Sequence, residues 1–218
     1  MDIKKKKIDK EQYVRKDIFN FMMTFNCTRF TITTQVDVTS LYNYCKTHKH
    51  FNAYMIYAIG KACNSVENFH YFAYEDGSIY RYDYVHPANI FMTSKNQIKF
   101  GMIDINLPIE EFINEYERVK NEIYTTGKRV EGNNDGNYIA LSCIKWFKFS
   151  SVSESSLNKF ESEPEMTWDK IELTNGKATI NMAVTLNHAL ADGYDVHLFL
   201  EALSKEIEKI ASGNYNRQ

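Results

Sequence analysis

Proline is scarce in this chain of 218 residues: there are three, with nine glycines and four cysteines. So few breakers leave no room for a low-complexity linker. No internal repeat stands out either, so residues 1–218 read as one continuous domain. The cysteines, Cys27, Cys45, Cys63 and Cys143, include no C-x-x-C pair, which points to reduced thiols in a cytoplasmic protein. Cys45, His48 and His50 form a C-x2-H-x-H cluster; a fourth ligand is missing nearby, and no metal is expected there. No stretch approaches the roughly 20 apolar residues of a membrane span. The lysine run at 4–7 has no apolar segment behind it, so it is not a signal peptide and is expected to be a solvated tail. A net charge of −2 supplies no field to attract nucleic acid.

What the chain does have is aromatic residues, 15 Tyr and 14 Phe, in an otherwise ordinary composition of 44% hydrophobic and 25% charged residues. Such rings suit cores, pockets and subunit interfaces. Residues 9–24 read as a helix. Alternation of Phe30, Ile32, Val36 and Val38 marks a strand over 29–38. Ser40 is a candidate cap for a helix over 41–47, and a second helix is expected over 51–66. A β-rich section follows over 71–105, with a hairpin turn at Glu75-Asp76-Gly77-Ser78. Pro108 opens a helix with Ile109, Phe112, Ile113, Tyr116, Val119 and Ile123 on one face. Residues 127–137 read as loop. Strands are expected at YIALSCI and at KIELTNGKATINMAVTL, the latter a hairpin turned by Thr174-Asn175-Gly176, before a C-terminal helix. Strands grouped between long helices predict a two-layer α/β sandwich: a mostly antiparallel mixed sheet with helices packed on one face.

The stretch VTLNHALADGYDVHLF, residues 184–199, carries the chemistry. Ile180, Met182, Val184 and Leu186 share one strand face, and His188 continues that period. Imidazole titrates near neutrality, so a histidine aimed into a partly dry site is a natural general base. Asp192-Gly193 then turns the chain into a helix. Asp192 can orient the imidazole as in a triad, or hold the loop through a cation elsewhere; spacing does not choose. A core histidine beside an N-capping Asp is the plain alternative, and H-x-x-x-D-G arises by chance in roughly one chain in a hundred of this length.

NHALADGYD resembles the H-H-x-x-x-D-G-[FY]-H signature of the chloramphenicol acetyltransferase family. Further blocks are similar in the same order: YVRKDIFNF (13–21), FTITTQVDVT (30–39), FNAYMIYAIGKACN (51–64), VHP (85–87), SCIKW (142–146) and PEMT (164–167). The resemblance spans essentially the whole chain. It implies an acetyl-CoA-dependent O-acetyltransferase acting on a hydroxyl of chloramphenicol or a related small molecule. It also implies a homotrimer with each site between two protomers, and no metal. Carried over by position, His188 is the general base, Ser142 the oxyanion donor and Thr167 an assistant through an ordered water. Asp192 pairs with Arg15 to brace the loop. Phe30 is a retained acceptor-pocket residue, while Met22 and Thr28 stand where the family has a tyrosine and a cysteine.

The chain departs from the pattern at Asn187 and Asp195, where the family has histidines, and over FMTSKNQIKF (91–100). Three alternatives follow. One is the acyltransferase core of a 2-oxo acid dehydrogenase complex, which carries a lipoyl domain and linker not expected here. Another is a condensation-type domain, which needs two such folds. The third is a non-catalytic trimeric relative that binds small molecules.

Overall fold

The computed structural model describes residues 4–130 and 136–217. In chain order the elements are β1 (Lys5–Lys7), α1 (Lys16–Met22), β2 (Arg29–Asp37), α2 (Thr39–His48), α3 (Phe51–Cys63), β3 (Tyr71–Ala73), β4 (Ile79–Tyr82), β5 (His86–Met92), β6 (Ile98–Met102), α4 (Ile109–Thr126), β7 (Tyr138–Ile144), β8 (Glu165–Asp169), β9 (Glu172–Thr174), β10 (Lys177–Asn187) and α5 (Gly193–Ala211). The main sheet runs β2-β10-β8-β7-β5-β6, with β9 on β10. A small second sheet, β1-β4-β3, flanks it. The predicted two-layer α/β sandwich is the fold that forms. Its sheet is more mixed than the hairpins imply, because β5–β7 and β7–β8 pair in parallel.

The core lies between the helices and one sheet face. Ile139, Leu141, Met166, Trp168, Ile180, Met182, Val184 and Leu186 supply the sheet side. Helix α3 is apolar nearly all round, and ten of its residues are buried, as a helix enclosed on every side requires. Helices α4 and α5 bury single stripes. Gly101 lets α4 lie close on β6: a Cβ there would sit 2.4 Å from Val119 Cγ1. Asn175 and Gly176 take positive φ, at 51° and 80°, closing the expected two-residue hairpin between β9 and β10.

Alternation sends the intervening residues to the opposite face. Register aligns Thr31 with Thr185, Thr33 with Ala183, Ala183 with Thr167, and Thr167 with Ser142. That face is rich in hydroxyls and charge where the helix face is apolar.

Several expectations need correction. The lysine run is not a free tail: Lys5–Lys7 pairs antiparallel with β4, and Lys5 Nζ lies 5.4 Å from the Tyr80 ring centroid, so Tyr80 gives the exposed lysines a surface to lie on. The helix expected over 9–24 is a short 3-10 turn followed by α1. Tyr13 turns extended between them, packing its ring on Phe19 and Tyr71. Ser40 does not cap α2; Asp37 Oδ1 accepts from Thr39 N at 2.9 Å, while Ser40 Oγ donates to Glu208. Helix α3 stops at Cys63. Strand β8 was not anticipated. Of the loop expected over 127–137, residues 131–135 lie outside the described residues.

Candidate active site

Strand β10 delivers His188. The ladder with β2 runs to Asn187, and His188 N extends it by donating to Thr28 O at 2.8 Å. The chain then doubles back, with Leu190 N and Ala191 N both donating to Asn187 O at 3.0 Å. This return places Ala191 O 3.1 Å from His188 Nδ1. A carbonyl only accepts, so Nδ1 carries a proton, and in the neutral ring the lone pair is on Nε2. Phe30 packs against the imidazole with ring centroids 4.6 Å apart. The half-buried ring is thereby fixed in tautomer and orientation, the state a general base needs.

Asp192 settles the choice left open by spacing. Its Oδ2 accepts from Arg15 Nη1 at 2.9 Å, and its Oδ1 accepts from Tyr194 N at 2.9 Å, capping α5. The partner of His188 Nδ1 is the Ala191 carbonyl, so the triad arrangement is not what forms. Burial works against the Asp192 charge, but hydrogen bonds from Arg15 and from backbone N–H groups outweigh it and hold the carboxyl below its usual range. Stability from this group is therefore present above the ordinary carboxylate pKa and is lost as pH falls through the depressed value. D192N keeps a good cap and removes the charge. A double-mutant cycle of R15M with D192N is expected to give a coupling of about 1 kcal/mol in denaturant unfolding at pH 7, vanishing at pH 2. Additivity at pH 7 would remove the brace.

Asn187 and Asp195, which stand where the family has histidines, are absorbed structurally. Asn187 is 2% exposed; its Nδ2 donates to Lys159 O and Glu161 O, both at 2.9 Å, and its Oδ1 accepts from Ala189 N at 3.0 Å. It ties the 145–164 segment to the histidine turn. Asp195 closes a capping box by accepting from Asp192 N at 2.8 Å, and Asn68 Nδ2 donates to its other oxygen at 3.0 Å. Burial raises its pKa.

Ser142 and Thr167 sit on the polar face, paired in register on the parallel strands β7 and β8. Ser142 is half-buried, and among the described residues its hydroxyl has no hydrogen-bond partner. Thr167 is 4% exposed and donates to Glu154 Oε1 at 2.7 Å. Thr167 lies opposite Ala183 of β10, and His188 is five positions further along, a gap of roughly 16 Å at strand spacing. No side chain spans that. The structure brings Arg15, Asp192, His188, Phe30 and Thr28 together at one end of the sheet and Ser142 with Thr167 at another. It does not bring the two groups together within one protomer.

The sequence profile of the family described as chloramphenicol acetyltransferase matches residues 3–204. The chain belongs to the chloramphenicol acetyltransferase family. A chloramphenicol acetyltransferase from Clostridioides difficile is 26% identical over 206 residues, covering 92% of this chain and 95% of that one. A solved chloramphenicol acetyltransferase structure superposes with a TM-score of 0.81 at 20% identity, covering 94% of this chain and 100% of that one. A dihydrolipoamide acetyltransferase from Azotobacter vinelandii shares the fold at a TM-score of 0.70 and 13% identity, covering 90% and 87%.

Within this member of the chloramphenicol acetyltransferase family, Thr28 is 3% exposed and its hydroxyl donates to Lys159 O at 2.7 Å, which anchors the 145–164 segment. Met22 packs in a minor cluster with Tyr13, Phe19 and Leu190, behind the histidine turn. His48 stacks on Tyr44 at 3.8 Å and 2°, and His50 Nδ1 faces Glu117 at 3.0 Å. Burial pushes the Cys45 thiol up to about 12. Their ring nitrogens thus serve separate partners, and among the described residues no three metal-ligating side chains converge. Glu154 and the buried Asp169 escaped the sequence reading. Asp169 accepts from Lys148 Nζ at 3.0 Å, Phe149 N at 3.1 Å and Asn181 N at 2.8 Å, fixing the turn that exposes Trp146 and Phe147. The signal for Asp169 was present in EMTWD, where Glu165, Thr167 and Asp169 alternate with Met166 and Trp168. Glu154 gave none, because it meets Thr167 from an irregular segment.

Proposed function

We propose that this protein is an acetyl-CoA-dependent O-acetyltransferase whose active sites lie between protomers of a cytoplasmic homotrimer. In this reading residues 1–218 act as a single domain, and the acceptor is chloramphenicol or a related hydroxylated small molecule. The observation that carries the reading is the fixed tautomer of His188, with Nδ1 committed to Ala191 O and Nε2 left basic. His188 Nε2 takes the proton of the acceptor hydroxyl as its oxygen attacks the acyl carbon, and returns it to the departing thiolate as the carbon–sulfur bond breaks. Ser142 donates to the developing oxyanion, and Arg15 with Asp192 braces the loop. Phe30 orders the imidazole at the acceptor site, with Thr28 and Met22 supporting the wall behind it. No covalent enzyme intermediate is required, since base and oxyanion donor act on one aligned pair of reactants.

Base and oxyanion donor must both lie within about 3 Å of the reacting group. The separation of His188 from Ser142 and Thr167 within one chain therefore supports a site completed by a second copy. In a cyclic trimer the histidine end of one protomer meets the Ser142–Thr167 end of the next, three times over. A cavity of about 740 Å³ lies between α3, α4 and the ends of β7 and β8, lined by Asn52, Tyr116, Lys120, Lys145 and Trp146. Lys145 and the exposed indole fit the phosphates and adenine of the co-substrate, which supplies the acyl thioester, while Lys120 is held by Glu117 at 2.9 Å. Thiol release from acetyl-CoA on addition of hydroxylated acceptors, with the acetyl ester identified by mass, tests the activity. Acceptor-stimulated release is expected; tight acceptor binding without any release favours the non-catalytic binder.

A further inference from the structure

Glu154 stands directly on the proposed oxyanion end. The 145–164 segment carries it there, and that segment is anchored beyond Glu154 by Thr28 and Asn187. Thr167 Oγ1 spends its proton on Glu154 Oε1 at 2.7 Å. What Thr167 then offers a ligand is lone pairs, as does the carboxylate beside it. Two acceptor-only groups side by side fit a ligand rich in donors.

Charge points the same way. Two cations of this face are paired with other carboxylates, Arg29 with Glu165 at 3.2 Å and Lys148 with Asp169 at 3.0 Å, while Lys159 donates to the Met23 carbonyl at 2.6 Å. Among the described residues no cation pairs with Glu154. Glu165 faces the same side, two residues before Thr167 on β8. Burial, with repulsion from Glu154, Glu163 and Glu161 and against the pull of Arg29, pushes its carboxyl up to about 7. Of the two carboxylates only Glu165 has a cation beside it among the described residues, Arg29, so half-buried Glu154 is the one left to meet a cation on the ligand.

We propose that Glu154 is a specificity-determining residue that selects an acceptor bearing an ammonium group near the acetylated hydroxyl, in preference to a neutral acceptor. This rests on the acetyltransferase reading and narrows its substrate class. An ammonium beside Glu154 makes a charge-assisted hydrogen bond. A neutral acceptor covers the carboxylate with only the Thr167 hydroxyl as its partner, the kind of mismatch on which polar sites discriminate strongly.

The probes are chloramphenicol and the free aminodiol left when its dichloroacetyl group is removed, which share the diol and differ in charge. Binding is measured by calorimetry without acetyl-CoA, and thiol release with it. At pH 7 the aminodiol is expected to bind roughly tenfold tighter than chloramphenicol. E154Q is expected to lose about that factor for the aminodiol while changing chloramphenicol less than about threefold; E154D, which keeps the charge, retains the preference. Tighter binding of chloramphenicol, or equal weakening of both ligands in E154Q, overturns the proposal. Glu154-dependent aminodiol binding with no thiol release leaves the selectivity intact and sinks the acetyltransferase reading. His188-dependent release with chloramphenicol but not the aminodiol does the reverse.

Discussion

Replacing His188 with alanine is expected to lower kcat by between about 10^2 and 10^4, with little change in acceptor affinity. The imidazole is the basic group whose orientation is over-determined, by Ala191 O on one side and the Phe30 ring on the other. Its backbone N–H, which donates to Thr28 O, survives the substitution. The fold should therefore hold, and a thermal midpoint within a few degrees of wild type is the control. In the proposed mechanism the base acts on the acceptor proton, so the loss should appear in the rate at saturating acceptor rather than in KM. A His188→Ala enzyme that retains wild-type turnover would mean that the proton leaves by another route.

The second large effect is expected at Ser142. Removing one preorganised donor from an oxyanion site costs about 10^2-fold or more in turnover. Among the described residues the Ser142 hydroxyl has no other partner, so S142A leaves no buried group unpaired in the free protein and should unfold at the wild-type temperature. The discriminating comparison is S142A with S142C. A thiol donates weakly, so cysteine should recover little of the loss despite its similar shape. If S142A turns over as wild type does, the oxyanion donor lies elsewhere.

Much of this was legible in the chain because it is written in local periodicity. Alternation along β10, apolar stripes on α4 and α5, and the Asn175-Gly176 turn are each decided by neighbours within a few residues. The histidine motif was legible as a motif, and its blocks in order located Arg15, Ser142 and Thr167. Less was legible where partners are distant. Strand β8 is five residues long after a proline, too short for its alternation to stand out. The role of Asn187 depends on carbonyls of Lys159 and Glu161, which no spacing rule connects to it. The separation between His188 and Ser142 is a property of sheet register, set by pairing among β7, β8 and β10. Composition also misled at the lysine run, where an edge strand of exposed residues looks like a tail.

That separation carries the central claim, that each site is built by two protomers. The direct measurement mixes H188A with S142A, dissociates and reassembles them in equal amounts, and assays thiol release. Each variant alone should be nearly inactive. In randomly reassembled trimers a site has an intact His188 from one protomer and an intact Ser142 from its neighbour with probability about one quarter, so about a quarter of wild-type activity should return. A mixture no more active than its parents, with reassembly confirmed by mass, would contradict the shared site and place base and oxyanion donor within one chain.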